Sequence, residues 1–478
     1  MFEKKYKAAN QEIQVDQKLK EETIKKMELM EKKIQREKTD DQKKGGFLVF
    51  NKGSFKKVAI AASLLIIITS LLVTNTGVES YALASPLYPP KTSFAEQRPD
   101  EKIDAAFLDR LNEFSLQSSS KILSETDDET NRLFSPISLY MALAMVTETA
   151  EGETQAEILK ALQFNSMDLI QNETGKLFRQ LYFNNEIGQL KLANSLWLNE
   201  TVDFKERTLK TLAEDYYAHS LKLDFNDRNS SKEISKWVAE QTGNKLGTDS
   251  SEFVLDPASV MTLINTVDYY DEWVDSFDKD QTKTDVFYPR QGNPIESDFM
   301  SINYGSHLFA KGSDYTVSSL GMKNNNQMLF ILPDEDVSAQ EIISDQKRLK
   351  EAVTALSSDQ ANYGEVLFKV PKFDFTSKLD LKELAKTMGI ETAFSPQLAD
   401  FTSLSDFKPL FISGIKQSAR ISIDEKGVAA SAFTQIDIDG SVKPEGRADM
   451  VMNRPFIFVI LGANQVPLFV GLINNPNL

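Results

Sequence analysis

The sequence predicts a large α+β domain that follows one apolar segment of membrane-spanning length. After residue 105, helical and strand patterns alternate irregularly, unlike the regular order of a doubly wound parallel sheet. An uncharged run at 58–78 divides the 478-residue chain, whose net charge is −16, into a basic and an acidic part. Hydrophobic residues make up 41% of the chain, which is enough for an extensive core. We therefore expect one large folded domain on a tether.

Residues 1–57 form the basic part of the chain. They contain 16 Lys and Arg against 10 Asp and Glu, a net charge of +6, which leaves −22 for residues 58–478. Ile24, Met27 and Ile34 recur at helical spacing among interleaved lysines and glutamates. We predict a largely helical cytoplasmic segment without catalytic residues. It either lies near the anionic inner leaflet or binds a cytoplasmic partner.

Residues 58–78 predict a transmembrane helix, which would contact the lipid bilayer. Twenty-one uncharged residues form this run, and a helix of that length spans about 30 Å, the thickness of a hydrocarbon core. Three lysines precede the run and Glu79 follows it. The positive-inside rule therefore places residues 1–57 in the cytoplasm and the acidic part outside the cell. A buried core helix is the alternative for the run itself.

The spacer at 79–104 contains four prolines, which favour extended backbone over helix. It also contains Ala82-Leu83-Ala84, a small-x-small pattern typical of a signal-peptide cleavage site. Because a 57-residue leader is too long for a normal signal peptide, we predict an uncleaved single-pass anchor in the cell membrane. Secretion after cleavage near Ala84 is the alternative.

Residues 105–478 predict one domain without internal repeats. Ser135-Pro136 begins a predicted helix that continues through Met145, with proline in the first turn. Leu379–Met388 predicts another helix, ended by Gly389. Apolar runs bounded by turn residues predict strands at 190–198, 328–332, 366–370, 456–461 and 467–472.

Motifs of common enzymes are missing from this domain. The sequence has no GxSxG elbow, Walker loop, HExxH motif or GxGxxG after a strand. It contains no Cys and only two His, His219 and His307, which excludes disulfides and Cys-ligated metals and disfavours a multi-His site. The charge of the acidic part disfavours nucleic-acid binding. We expect no enzyme activity, no cofactor, no metal and no nucleic-acid partner.

A pattern of period two runs from Gly427 to Gly440. Its even positions are small or apolar, whereas four of the six odd positions are polar, so one face of a strand can be buried. Residues 441–449 follow with proline, glycine and four charges, which is typical of an exposed loop. The pattern fits either a static edge strand or a segment that can occupy two positions.

These residues resemble a known family. Residues 425–434 are similar to the hinge of the reactive-centre loop of serpins, and 452–460 with 467–476 resemble the serpin C-terminal signature. Further matches in the same order lie at 133–138, 150–158, 192–197, 242–245, 263–265, 371–373 and 384–394. The resemblance covers the domain at 105–478. It implies the serpin fold, with a large central mixed β-sheet, surrounding helices and an exposed reactive-centre loop.

The resemblance also assigns roles to residues. The implied hinge consists of Glu425, Gly427, Val428, Ala430, Ala432 and Thr434. The implied shutter and breach consist of Ser135, Ser138, Asn265, Trp273 and Gln417. Some positions depart from the family pattern: Gln417 stands where many members have His, Thr149 replaces a usual Gly, Ala429 replaces a usual Glu, and Asp268–Glu272 replaces a usual Tyr-Phe-Lys-Gly run.

Serpins inhibit as suicide substrates: the protease attacks the loop, forms an acyl-enzyme, and the freed loop inserts as a new strand. Residues that face the core on insertion must avoid unpaired charge, as all seven even positions from 428 to 440 do. The usual spacing of about sixteen residues from Glu425 puts the reactive bond at Ser441-Val442. The small Ser441 suits an elastase-like or subtilisin-like pocket. Lys443, which Pro444 shields, and Arg447 are basic alternatives.

The resemblance thus predicts a monomeric inhibitor of extracellular serine proteases, held to its target by a covalent acyl bond. The other predicted partners are the bilayer, through 58–78, and an unidentified cytoplasmic partner of 1–57. One alternative is a non-inhibitory serpin-fold sensor that signals through 1–57. Another is an inhibitor of cysteine proteases on the cell surface.

Overall fold

The computed structural model describes residues 81–91, 101–125, 129–257, 259–428 and 446–478. All of these residues belong to one compact unit, Val78–Leu478. The predicted cytoplasmic segment 1–57 and transmembrane helix 58–78 lie outside the described residues. Within the described ranges, no helix has the length and apolarity needed to cross a bilayer.

The first of two large sheets, here called the central sheet, is mixed. Its strands are β1 (Tyr81–Ala84), β3 (Phe183–Asn184), β4 (Gly188–Asn199), β5 (Ala218–Leu223), β6 (Met261–Glu272), β12 (Phe373–Asp380), β13 (Ile412–Ile423) and β14 (Gly427–Val428). The main path runs β1-β5-β4-β6-β13-β12, while β3 pairs with β4 and β14 with β6. The β4–β5 and β6–β13 pairs are parallel, and the other pairs are antiparallel.

The second sheet packs behind the central sheet. Its strands are β2 (Arg132–Phe134), β7 (Lys283–Phe287), β8 (Ile295–Lys311), β9 (Tyr315–Gly321), β10 (Gln327–Pro333), β11 (Ala361–Pro371), β15 (Arg447–Val451), β16 (Phe456–Leu461) and β17 (Pro467–Ile473). The path runs β15-β11-β8-β9-β10-β16-β17-β2, with β7 paired to β8. Buried residues of both sheets share one hydrophobic core, so the sheets fold as one domain.

Helices surround the sheets. Among the described residues they are α1 (Ala105–Ser124), α2 (Pro136–Thr149), α3 (Gly152–Ala161), α4 (Met167–Leu181), α5 (Glu206–Asp215), α6 (Ser230–Gln241), α7 (Ala339–Ser344), α8 (Gln346–Thr354) and α9 (Lys382–Thr387). Asp104 caps α1 by accepting bonds from the amides of Ala106 and Phe107. Every residue of α2 except Glu148 is buried, which fits a helix enclosed on all sides by the core.

The two faces of β6 pack against different layers. Leu263 and Val267 belong to the core shared with the second sheet. Ile264, which points the other way, packs in a smaller cluster with Trp237 and Val238 of α6. Helix α6 therefore covers the front of the central sheet, and the main core lies behind it.

Most elements predicted from the sequence are present. The five predicted strands lie within β4, β10, β11, β16 and β17, and the helix predicted at Ser135-Pro136 is α2. The helix predicted at 379–388 is wrong at its start, because Leu379 and Asp380 pair with β13 and end β12. Only Lys382–Thr387 is helical.

Part of the predicted spacer at 79–104 belongs to the folded domain. Tyr81–Ala84 is extended, as the prolines suggested, but it pairs antiparallel with β5 at the edge of the central sheet. Tyr88 stacks on Tyr182, with ring centroids 5.7 Å apart, and its hydroxyl lies 3.3 Å from Nε2 of His219. The domain therefore begins before residue 105. The sequence did not predict this start, because a local pattern does not reveal contacts with residues about 100 positions away.

Candidate functional site

The central sheet is open at one end between β6 and β13. These strands pair in parallel from Met261 and Ile412 as far as Val267 and Ala419. Beyond that point β6 continues to Glu272 and β13 to Ile423, yet the two strands no longer pair with each other. The ends of β6 and β13 therefore border a gap in the sheet.

The start of the period-two segment enters this gap. Strand β14 pairs antiparallel with the end of β6, with Gly427 opposite Glu272 and Val428 opposite Asp271. Gly427 has a φ of 150°, and a Cβ added there would lie 2.5 Å from the carbonyl oxygen of Asp271. This approach excludes a side chain, which gives the glycine of the predicted hinge a physical reason.

Glu425 and Trp273 make hydrogen bonds that fix the turn immediately before β14. The buried Glu425 carboxylate accepts bonds from Thr282 Oγ1 at 2.9 Å and from Lys372 Nζ at 3.2 Å. Burial alone would raise the pKa of Glu425, but its own backbone amide, Thr282 and Lys372 hold that pKa below its usual value. The Trp273 indole donates to the carbonyl of Asp424 at 3.0 Å. The predicted breach tryptophan thus lies beside the hinge.

Gln417 joins the central sheet to the start of α2. Its Oε1 accepts from the amide of Ser135 at 2.8 Å, and its Nε2 donates to the carbonyl of Ser135 at 3.0 Å. A planar amide presents a donor and an acceptor side by side, which satisfies both buried backbone groups. Gln417 is also in register with Asn265 on β6. The residue that departs from the family pattern therefore makes a specific contact at the predicted shutter.

Asn265 and Ser138 lie at the same place, and their polar groups are only partly satisfied. Asn265 Nδ2 donates to the carbonyl of Ser138 at 3.3 Å and to Oδ1 of Asn194. Ser138 Oγ, Asn194 Nδ2 and Asn265 Oδ1 are buried without a hydrogen-bond partner in the part of the chain that the structure describes. Each such group costs about 1–3 kcal/mol. This conformation therefore leaves unsatisfied polar groups where β6 meets β13.

Three carboxylates lie at the open end of β6. Asp271 is fully buried and accepts bonds from the side-chain amides of Asn324 and Asn326, each at 2.8 Å. Burial raises the pKa of Asp271 to about 6, against the opposing effect of these bonds. Asp268 pairs with Lys245 at 2.6 Å, and Glu272 pairs with Lys323 at 2.7 Å.

In the sequence, residues 268–272 stand out only as a departure from the family pattern. The sequence does indicate an unusual polar site here, because acids at 268, 271 and 272 interrupt a run with many apolar and aromatic residues. Buried acids in such a strand require partners. The partners belong to distant turns, which a local pattern does not reveal.

The rest of the predicted site lies outside the described residues. This applies to the hinge residues Ala430, Ala432 and Thr434 and to the predicted reactive bond Ser441-Val442. Arg447, the distant alternative for cleavage, is the first residue of β15 and pairs with Glu365 of β11. Its guanidinium also forms ion pairs with Glu365 and Asp449. Arg447 is thus a sheet residue rather than part of the loop.

Among the described residues, no group of three or more His, Cys, Asp or Glu is arranged to hold a metal ion.

Comparisons with known proteins agree with the two-sheet fold. The family profile described as "Serpin (serine protease inhibitor)" matches residues 109–476. Alpha-1-antiproteinase S of Cavia porcellus is 28% identical over 367 residues, which cover 74% of this chain and 87% of that protein.

Two further similarities extend this relation. A serpin-like protein of Methanosarcina acetivorans is 28% identical over 390 residues, covering 79% of this chain and 87% of that protein. The native state of the thermophilic serpin tengpin superposes with a TM-score of 0.70 at 28% identity, covering 83% of this chain and all of that structure. The described domain is therefore similar to these proteins in both sequence and fold.

Proposed function

The chain belongs to the serpin family, whose members are protease inhibitors rather than enzymes, and we propose that it is a suicide-substrate inhibitor of extracellular serine proteases. A protease cleaves the loop after β14 and becomes acylated on its catalytic serine. The freed loop then enters the gap between β6 and β13 as a new strand. The covalently attached protease moves with it before water completes hydrolysis.

The register of β14 is the observation that carries this proposal. Gly427 opposite Glu272 and Val428 opposite Asp271 are the first two steps of an antiparallel strand along β6. Continuing that register places Ala430 opposite Tyr269, Thr434 opposite Asn265 and Ile438 opposite Met261. Residues opposite one another share a face. Even positions would therefore face the main core, to which Met261 and Tyr269 belong.

Protease trapping tests the proposal directly. We expect subtilisin or elastase to form a covalent complex that survives boiling in SDS, because the small Ser441 suits their pockets. Mass spectrometry of the complex should place the acyl bond on Ser441 and release a peptide that begins at Val442. If no protease in a broad serine panel forms such a complex, the inhibitory proposal is wrong. Trapping of cysteine proteases alone would favour that alternative class.

Two arginine variants test the insertion step. Ala430→Arg should convert the inhibitor into a substrate, because an even position would carry an unpaired charge into the core. Ala429→Arg is the matched control, since position 429 would lie opposite Tyr270 on the other face. The measurement is the fraction of protease trapped against the fraction of loop cleaved. Equal trapping by both variants would contradict insertion in this register.

A non-inhibitory sensor is the second candidate, favoured by the +6 charge of residues 1–57, which a simple inhibitor does not need. The two candidates differ in what cleavage does to stability. Insertion of about ten strand residues at about 1 kcal/mol each should raise the melting temperature of the cleaved domain by at least about 10 °C. A loop that stays outside the sheet should leave that temperature unchanged.

We further propose a monomer, anchored by residues 58–78 with the serpin domain outside the cell. The apolar run and its flanking lysines support this arrangement. The protein should stay with membranes after alkaline carbonate extraction, and protease added to intact cells should digest the domain but leave 1–57. Recovery from the medium with Ser85 as the first residue would favour secretion. Crosslinking through 1–57 would identify a cytoplasmic partner.

A further inference from the structure

A small cavity lies in the gap between β6 and β13. It has a volume of about 140 Å³, and three elements line it: β6 at 267–270, β13 at Arg420 and Ser422, and the turn after α6 at 242–246. The cavity begins where the two strands stop pairing. Any strand that continues from β14 along β6 must therefore pass through it. The turn at 242–246, here called the α6 turn, forms its front wall.

An ion pair between partly exposed Lys245 and buried Asp268 joins the α6 turn to β6. Lys245 Nζ lies 2.6 Å from Oδ1 of Asp268, which is 3% exposed. Gln189 of β4 donates to the other carboxylate oxygen. Asp268 lies on the face of β6 that α6 covers, since it shares that face with Ile264. The pair therefore spans from the sheet to the front wall of the cavity.

Hydrogen bonds within the α6 turn hold the backbone on both sides of Lys245. The amide of Leu246 donates to Thr242 Oγ1 at 3.2 Å, and the amide of Lys245 donates to the carbonyl of Thr242 at 3.1 Å. Gly247 follows with a φ of 75°, where an added Cβ would lie 2.4 Å from the carbonyl oxygen of Ser235. The turn therefore requires glycine at 247, where it lies against the backbone of α6.

Arg420 of β13, which also lines the cavity, is paired with a carboxylate of β12. Arg420 on β13 forms two bonds with Asp374 of β12, at 2.9 and 2.7 Å. Arg420 thus moves with β12 and β13, whereas Asp268 is held by the α6 turn. The Lys245–Asp268 pair is thus the charged contact between the α6 turn and β6, beside the apolar contacts of Leu246 and Ile264.

We propose that the Lys245–Asp268 ion pair is a latch on strand insertion: it holds the α6 turn over the cavity and must break before the loop passes. The inference deepens the proposed inhibitory function and rests on it. The pair sets how fast insertion proceeds after the protease has cleaved the loop. Because insertion competes with hydrolysis of the acyl-enzyme, the latch also sets how much inhibitor is consumed per protease trapped.

Asp268→Asn and Lys245→Met test the latch. Lys245 is partly exposed, so its replacement should fold even if the Asp268 variant does not. Each variant should speed insertion roughly tenfold, as expected for a barrier lowered by one charged contact. Each should also consume less inhibitor per protease trapped. The double variant should be no faster than either single one, because all three break the same contact.

Insertion can be timed by fluorescence. The chain has no cysteine, so one cysteine introduced by Gln435→Cys accepts a fluorophore at a single position. Stopped-flow mixing with subtilisin then reports the insertion rate. Glu173→Gln is the matched control, since Glu173 is a buried carboxylate paired with Lys176 on α4, away from the cavity. This control should insert at the wild-type rate.

The outcomes separate the latch from the function on which it rests. Wild-type trapping with an unchanged insertion rate in Lys245→Met overturns the latch alone. Equal acceleration by Glu173→Gln also overturns it, since general destabilisation would then explain the effect. If the wild-type chain traps no protease and gains no thermal stability on cleavage, the proposed inhibitory function itself fails.

Discussion

Gly427 is the residue on which seating of the hinge depends. Its backbone conformation and its distance from the Asp271 carbonyl leave no room for a Cβ. We therefore expect Gly427→Ala to displace β14 and to lower the fraction of protease trapped at least about tenfold, since the proposed insertion would begin here. Gly305→Ala is the control, because an added Cβ there meets no atom within 4 Å. Normal trapping by Gly427→Ala would show that β14 pairing is unnecessary.

Asp271 gives the domain a specific pH dependence. Burial raises its pKa from 3.8 to about 6, so the folded state binds the proton more tightly than the unfolded chain does. Its contribution to stability is therefore fully present below about pH 3.8 and is lost as the pH rises through 6. We expect Asp271→Asn to gain about 2–3 kcal/mol relative to wild type between pH 4 and pH 8.

The measurement is the free energy of unfolding in urea at both pH values. Asp359→Asn, at an exposed position, is the control and should track the wild type. A difference between Asp271→Asn and wild type that stays constant with pH would show that Asp271 is charged throughout that range.

Single residues of the site were predictable to different degrees. The resemblance singled out Glu425, Trp273, Ser135 and Asn265. In the structure, Glu425 and Trp273 lie beside β14, while Ser135 and Asn265 lie where β6 pairs with β13. The contact of Gln417 was not predictable, because its partner is a backbone segment 282 positions away. A sequence pattern shows that a buried amide needs partners, but it does not identify them.

At the level of elements, β1 adds a strand to the edge of the central sheet. Its residues belong to the segment 79–104, which the sequence predicted to be a spacer. Tyr88, which follows β1, packs beside Phe178, Tyr182 and His219. Burial of His219 lowers its pKa to about 4, which keeps the imidazole neutral at physiological pH. The segment after β1 therefore packs against the domain through an aromatic cluster.

We expect Tyr88→Ala to lower the free energy of unfolding by about 2–3 kcal/mol, since it removes a large ring from this cluster. Leu87→Ala, at a position that is 72% exposed, should change stability by less than about 0.5 kcal/mol. Chemical denaturation of both variants provides the measurement. Equal effects would mean that the segment after β1 contributes no specific packing.

Elements with strong local patterns were predicted well. Helix α2 and strands such as β16 combine a clear apolar pattern with turn or proline signals at their ends. The start of the helix predicted at 379–388 failed because Leu379 pairs with Gln417 across the sheet. Tertiary pairing overrides local propensity at such positions.

At the level of the whole molecule, the residues of the main hydrophobic core all come from the folded domain. The main core cluster runs from Ile103 to Ile473. A chain that begins at Val78 should therefore fold alone and melt in one cooperative transition, as measured by circular dichroism. A chain that begins at Ser85 lacks β1 and should melt a few degrees lower. Failure of the longer chain to fold would show that 1–77 contribute to the core.

The broad plan of this protein can be read from local properties of the chain. Charge separates a basic part at 1–57 from an acidic part after it, and the absence of cysteine excludes disulfides. The uncharged even positions from 428 to 440 predict a strand with one face that can be buried. The tertiary structure showed where the first two residues of that segment lie, paired with the end of β6. The gap between β6 and β13, the pairing of Gly427 with Glu272 and the partners of the buried carboxylates all join segments far apart in the chain. Period and composition are local properties, whereas such contacts arise only when distant strands and turns meet in the folded sheet.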